Sequence, residues 1–149
     1  MVFFNKLFKS SNPSQAQIEV SLTDLVPKDI EEMNEDLQQP FTEEEITTTL
    51  SQMCPTKAPG PDGLPAVFFQ KHWKLVREGV INICLHILNE QGNIAPLNDT
   101  YLALIPKVEK PKKVVGYRPI SLCNVIYRIV AKTIANRLKE ILYQIISPS

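Results

Sequence analysis

Two cations flank one turn in this chain of 149 residues. Lys107 closes the run Leu104-Ile-Pro-Lys107, Arg118 sits in Tyr117-Arg-Pro-Ile-Ser-Leu122, and Lys107-Val-Glu-Lys-Pro-Lys-Lys113 begins the connection between them. If the two arms pair, the hairpin holds two fixed positive charges above a shared groove. Lysine acts there as a point charge, whereas a guanidinium grips two phosphate oxygens at once. The chemistry this favours is phosphate binding, although either residue alone would be an ordinary surface cation.

A second segment is Lys57-Ala-Pro-Gly-Pro-Asp-Gly63. Its prolines restrict the backbone and its glycines free it, so the loop follows a particular path; Asp62-Gly63 fits a turn. A simple linker would need fewer constraints. Third, Arg128, Lys132, Asn136 and Lys139 share one face of a predicted helix and could follow a phosphate backbone. A solvated amphipathic helix would carry the same stripe.

Other chemistry is poorly supported. His72 and His86 have no ligand cluster or nucleophile beside them, and neither a GxxxxGK[ST] phosphate loop nor a GxSxG elbow occurs. Glu43, Glu44 and Glu45 are better explained by helix capping than as metal ligands. Cys54, Cys84 and Cys123 are odd in number and lack CxxC spacing, which argues against a disulfide framework or a zinc site and predicts buried thiols.

The elements that must position these residues are mostly helices. Ile30, Met33 and Leu37 share a face and predict a short helix over 27–37. Thr42 with Glu45 makes a capping box, and Phe41 with Ile46 a hydrophobic staple. A helix over 43–53 follows, with Ile46, Leu50 and Met53 turned inward. Helical character resumes near Pro65 and runs through Phe68, Phe69, Trp73, Leu75, Val76, Val80, Cys84, Ile87 and Leu88 to Gly92, with Gly79 as the expected break. Thr100 to Ile105 reads as a strand, with Val114 to Leu122 as its antiparallel partner. Pro119 confines that partner to a sheet edge. Asn124 is positioned to cap a last helix reaching Ile145, with Ile126, Ile129, Val130, Ile134, Leu138, Ile141, Leu142 and Ile145 on its apolar face. Residues 1–20 lack periodicity and are expected to be a loosely ordered lead-in. Residues 21–149 then form an α+β, helix-rich unit with one hairpin near 100–122.

Composition sets wider limits. A hydrophobic share of 44% and a charged share of 21% are ordinary for a globular chain and argue against disorder throughout. Net charge is zero, but it is unevenly spread: −7 over residues 1–50, 0 over 51–100 and +7 over 101–149. That gradient concentrates a phosphate-attracting field on the C-terminal third. No apolar run approaches the ~18 residues of a membrane span, and no signal peptide is evident, so an intracellular location is expected.

Seven segments together carry a resemblance: Pro40-Phe-Thr-Glu-Glu-Glu-Ile46, Lys57-Ala-Pro-Gly-Pro-Asp-Gly63, Phe69-Gln-Lys-His-Trp73, Leu97-Asn-Asp-Thr100, Leu104-Ile-Pro-Lys107, Tyr117-Arg-Pro-Ile-Ser-Leu-Cys-Asn-Val125 and Ala135-Asn-Arg-Leu-Lys139. Their order and spacing, over about residue 20 to the end, resemble reverse transcriptases of LINE-type (non-LTR) retrotransposons, particularly the plant version. The lead-in, with Phe3-Phe-Asn-Lys-Leu-Phe8, also resembles the stretch preceding that domain.

The resemblance implies part of a right-hand polymerase fold, the fingers and the start of the palm. In it, Lys107 and Arg118 match residues that approach the triphosphate of the incoming deoxynucleotide (dNTP). Ala58 to Gly63 match a segment near the template, so Lys57, Asp62 and Gly63 would shape the template-side loop. Beyond the resemblance, the basic face of the last helix makes Arg128, Lys132 and Lys139 candidates for contact with nucleic-acid backbone. The implied partners are an RNA template, a DNA primer and dNTP, with no membrane. The family's polymerisation uses Mg2+ held by a palm aspartate and a later aromatic-x-Asp-Asp motif, and no aspartate follows Asp99 here. The expectation is therefore a fragment with no catalytic residue, metal site or cofactor of its own, inactive alone. Target-primed insertion would by analogy suggest the nucleus. The alternatives are a non-enzymatic nucleic-acid-binding module, or an element remnant without function.

Overall fold

Thr42 ends an extended segment and caps the helix that follows. Its hydroxyl accepts from the Glu45 N–H at 3.3 Å, and the Glu45 carboxylate accepts from the Thr42 N–H at 2.7 Å, completing the predicted capping box. The computed structural model describes residues 6, 9–22 and 31–145. In chain order these form α1 (Gln15–Leu22), α2 (Glu31–Gln38), α3 (Glu43–Ser51), α4 (Ala66–Lys71), α5 (Trp73–Asn89), β1 (Thr100–Pro106), β2 (Tyr117–Cys123) and α6 (Val125–Ile145). The fold is α+β, and the strands form a two-stranded antiparallel sheet.

The core joins α3, α4, α5 and the first half of α6. Ile46, Leu50, Met53, Ala66, Phe69, Val80, Ile81, Cys84, Val125, Ile129 and Val130 are buried together. Burying each large aliphatic side chain contributes about 1.5–3 kcal/mol, so these few positions carry much of the cohesion. At the α3–α6 contact the core contains polar groups. Thr49 and Thr133 are both buried, with hydroxyl oxygens 3.1 Å apart. The Ile129 carbonyl lies 2.9 Å from the Thr133 hydroxyl, and Asn136 Nδ2 donates to Thr49. Each hydroxyl can thus donate once and accept once, and no polar cost is left outstanding.

Several sequence expectations need correction. Helix α1 falls largely within the expected lead-in: Ser14 and Gln17 make a second capping box, with Gln17 N–H donating to Ser14 Oγ and Ser14 N–H to Gln17 Oε1. That capping starts a helix without an apolar face, and its described side chains are exposed. In the helix predicted over 27–37, residues 27–30 lie outside the described ones, while Met33 is buried and Leu37 half-buried. The break predicted at Gly79 falls at His72, whose backbone leaves helical geometry and whose ring tilts against Phe68. Val114–Gly116 is a single 3-10 turn, so the second strand starts at Tyr117. On α6, Ile134 and Leu138 are exposed. The buried stripe instead runs through Val125, Ile129, Thr133 and Ile141. Phe41 packs beneath the Arg137 guanidinium, 3.7 Å from ring centroid to Cζ.

Candidate nucleic-acid interface

In the hairpin, Ile105 pairs with Arg118, and the Lys107 N–H continues the ladder to the Gly116 carbonyl at 2.7 Å. Lys107 directly follows the last residue of β1, so this ladder contact brings its backbone to the same end of the hairpin as Arg118. Gly116, opposite Lys107, offers no side chain to obstruct it. Both cations are exposed, and among the described residues neither has a side-chain partner. The connecting segment adds Lys110, Lys112 and Lys113 against the single carboxylate of Glu109, and the Tyr117 hydroxyl fastens it by donating to the Pro111 carbonyl. The predicted pair is therefore brought together, at the tip of a solvent-facing hairpin.

The loop from Lys57 to Gly63 lies at the other end of β2. Asp62 N–H donates to Asn124 Oδ1 at 3.2 Å, across the junction between β2 and α6. Gly60 is buried there, and a methyl group in its place would collide with the Asn124 backbone nitrogen, Asn124 Oδ1 and the Cys123 carbonyl carbon. Gly63 N–H returns to the Gly60 carbonyl at 3.0 Å, Leu64 N–H donates to Asp62 Oδ1 at 3.0 Å, and Gly63 takes a φ of +70°, which glycine tolerates best. Asp62 and Gly63 thus build the loop. Lys57 is exposed on it.

The basic stripe on α6 is divided. Arg128 is half-buried, and its Nε and Nη2 are buried without a partner among the described residues. Lys132 is also half-buried and donates to Asn136 Oδ1 at 3.3 Å, while Lys139 is exposed. Lys132 and Lys139 line a groove between α3 and α6 with Thr48, Gln52 and Asn136; Arg128 does not. The stripe is not one continuous cationic face.

Two residues gain structural roles that sequence reasoning missed. Asn124, expected to cap α6, gives its side-chain oxygen to Asp62. Arg137, quoted within a motif but assigned no role, forks onto both Glu45 oxygens at 2.7 and 2.9 Å. It also reaches the carbonyls of Leu37, Gln39 and Pro40. A motif arginine opposite the N3 glutamate of a capping box was the available signal, but Glu45 looked fully occupied by its own helix end.

Burial raises the Glu45 carboxyl. Hydrogen bonds from Thr42 and Arg137, with the Arg137 charge, outweigh that and leave it below the ordinary glutamate value. Cys84 is buried as expected and its thiol is pushed up to about 12 by desolvation. Cys123 is half-buried, whereas Cys54 is exposed, contrary to expectation, and its hydrogen bond with Thr56 lowers its thiol.

Among the described residues, no group of three or more His, Cys, Asp and Glu is placed to hold a metal ion, and no helix is long and apolar enough to cross a membrane. What the described residues present is a hairpin whose connecting segment is rich in exposed lysines.

No family model matches the chain. Over 146 residues, 98% of its length, it is 32% identical to the transposon TX1 uncharacterized 149 kDa protein of Xenopus laevis. It spans 11% of that protein's length. The likeness relates the chain to a transposon protein and agrees with the broader part of the resemblance read from the motifs.

Proposed function

We propose that the chain is the fingers-side part of a LINE-type retroelement reverse transcriptase and contributes substrate binding to it. Lys107 and Arg118 would contact the triphosphate of an incoming dNTP. The Lys57–Gly63 loop would lie against the RNA template, and Arg128, Lys132 and Lys139 are further candidates for backbone contact. The observation carrying this reading is the ladder that brings Lys107 and Arg118, both exposed, to the same end of the hairpin. Two unpaired cations so placed suit an oligophosphate, because each keeps its full charge and its donors free. The transposon relative supports the retroelement context, and the seven ordered motifs carry the likeness to a polymerase. No catalytic step is assigned to these residues: they bring together no metal-binding carboxylates.

The test is fluorescence anisotropy on a labelled RNA template annealed to a DNA primer, titrated with the purified chain over a range of salt. A labelled deoxynucleoside triphosphate is titrated in parallel onto the chain–duplex complex. Lys107→Ala/Arg118→Ala should weaken triphosphate binding and reduce its dependence on salt, with a smaller effect on the duplex. Absence of duplex binding at low salt sinks the proposal. Duplex binding without any triphosphate binding would point instead to a nucleic-acid-binding module without a nucleotide site.

A further inference from the structure

We propose that Asn124 is a positioning residue that, together with Gly60, locks the Lys57–Gly63 loop to the base of the hairpin and so sets the place from which the loop engages a nucleic-acid strand. This inference rests on the nucleic-acid reading above and adds to it a device that sets the spacing of two contacts.

The geometry leaves Asn124 little freedom. It is the single residue between Cys123, which ends β2, and Val125, which begins α6. Its backbone is committed on the helix side, where its carbonyl accepts from Arg128 N–H at 3.1 Å. Its side-chain oxygen is committed to Asp62 N–H on the loop. Gly60 is the one buried residue between 54 and 64, and it lies directly against Asn124. The loop's flanks are fastened independently. Val67 N–H donates to the Pro55 carbonyl at 3.3 Å, and Gln70 Nε2 donates to the carbonyls of Leu50 and Met53, each at 2.9 Å. A loop held at its flanks and at its centre presents Lys57 from a defined place.

The same joint fixes that place relative to the cations on the hairpin. From Arg118 to Asn124 the chain is extended along β2, and six residues at about 3.3 Å each span roughly 20 Å. The loop is thus too far from the Lys107–Arg118 pair to share a single nucleotide with it, and its own ligand is the nucleic-acid strand. Asn124 acts on that strand through the loop, to which it gives its side-chain oxygen.

The experiment uses the purified chain with Asn124→Ala, Lys57→Ala and the double variant, and a fluorescent single-stranded RNA. Two readouts are taken beside the melting temperature: RNA affinity, and the rate of trypsin cleavage after Lys57. Losing one hydrogen bond should free the loop and speed that cleavage about tenfold while the core melts as before. RNA binding should weaken several-fold. Lys57→Ala, costly alone, should cost little more in the Asn124→Ala background, a coupling that a purely structural role would not produce. Equal Lys57 effects in both backgrounds overturn the positioning role, and unchanged cleavage overturns the anchor itself. If Asn124→Ala lowers the melting temperature, Asn124→Asp keeps an oxygen acceptor for Asp62 N–H and must restore protection at Lys57; failure to do so also overturns the anchor. If the wild type binds no RNA, the nucleic-acid reading fails and the positioning role with it, while cleavage still reports whether the loop is tied down.

Discussion

The guanidinium of Arg137 is turned into the protein, although it lies in the basic third of the chain. It is only 13% exposed at the side chain, forks onto Glu45 and gathers three carbonyls, one from the end of α2 and two from the segment between α2 and α3. The pair therefore ties the α2–α3 connection to α6, and it should be felt in the pH dependence of stability. Glu45 has a folded-state value below the ordinary 4.5, so its carboxylate stabilises the fold above that pH and the contribution is lost as pH falls through the folded value. Glu45→Gln keeps an oxygen to accept from Thr42 N–H and removes the charge. At pH 7 it should cost roughly 1–2 kcal/mol by thermal melting. At pH 3 the gap from wild type should shrink, and an equal gap at both pH values would remove the ion pair from the account. Lys107 and Arg118, by contrast, could be placed at one end of a hairpin from sequence, because the strand-like runs on either side of a charged connection imply it. The tie from Asn124 could not be read in this way, since its partner Asp62 is far away in sequence.

Local signals predicted the helices well where a cap and an apolar stripe coincided. Thr42-Glu-Glu-Glu45 with Ile46 and Leu50 is such a case, and α3 begins where that signature predicts. They did less well where one signal stood alone. Ser14 to Gln17 has the cap without the stripe, and its helix lies largely in the stretch expected to be a loosely ordered lead-in. Gly79 has the breaker residue without any structural need for a break: it is exposed inside α5 with open space where a β-carbon would sit. Glycine there costs backbone entropy and returns nothing in packing. Gly79→Ala should therefore stabilise the chain by about 0.5–1 kcal/mol. Chemical denaturation would show it as a higher midpoint at unchanged slope, and a lower midpoint would mean that the helix is distorted or that the exposed face is covered. The width of α6's buried stripe escaped prediction for a related reason. Periodicity marks which residues are apolar, but the crossing with α3 decides which are covered, and it selected Thr133 over Ile134.

Across the molecule, stability and the candidate interface are separated. Helices α3 to α6 share the buried cluster, whereas the hairpin contributes nothing to it. Its large apolar side chains face solvent on both sides of the sheet: Leu102 and Leu104 on one, Tyr101, Ile105 and Ile120 on the other. An isolated two-stranded hairpin is only marginally stable in water, so β1 and β2 draw their order from their own ladder and from the joint at Asn124. Amide hydrogen exchange should resolve this as two levels of protection. Amides of Ile129 to Thr133 should exchange only with global unfolding, while those of Leu102 to Ile105 should exchange through a local opening at a much lower free energy. A flexible, cation-bearing hairpin is also the part that gains most from a polyanion, because binding supplies the order its own contacts lack. Adding RNA should therefore slow exchange in β1 and β2 and leave the α3–α6 amides unchanged. Uniform protection without RNA would show that the hairpin is part of one cooperative unit, and protection by RNA confined to α6 would move the interface to the groove lined by Lys132 and Lys139.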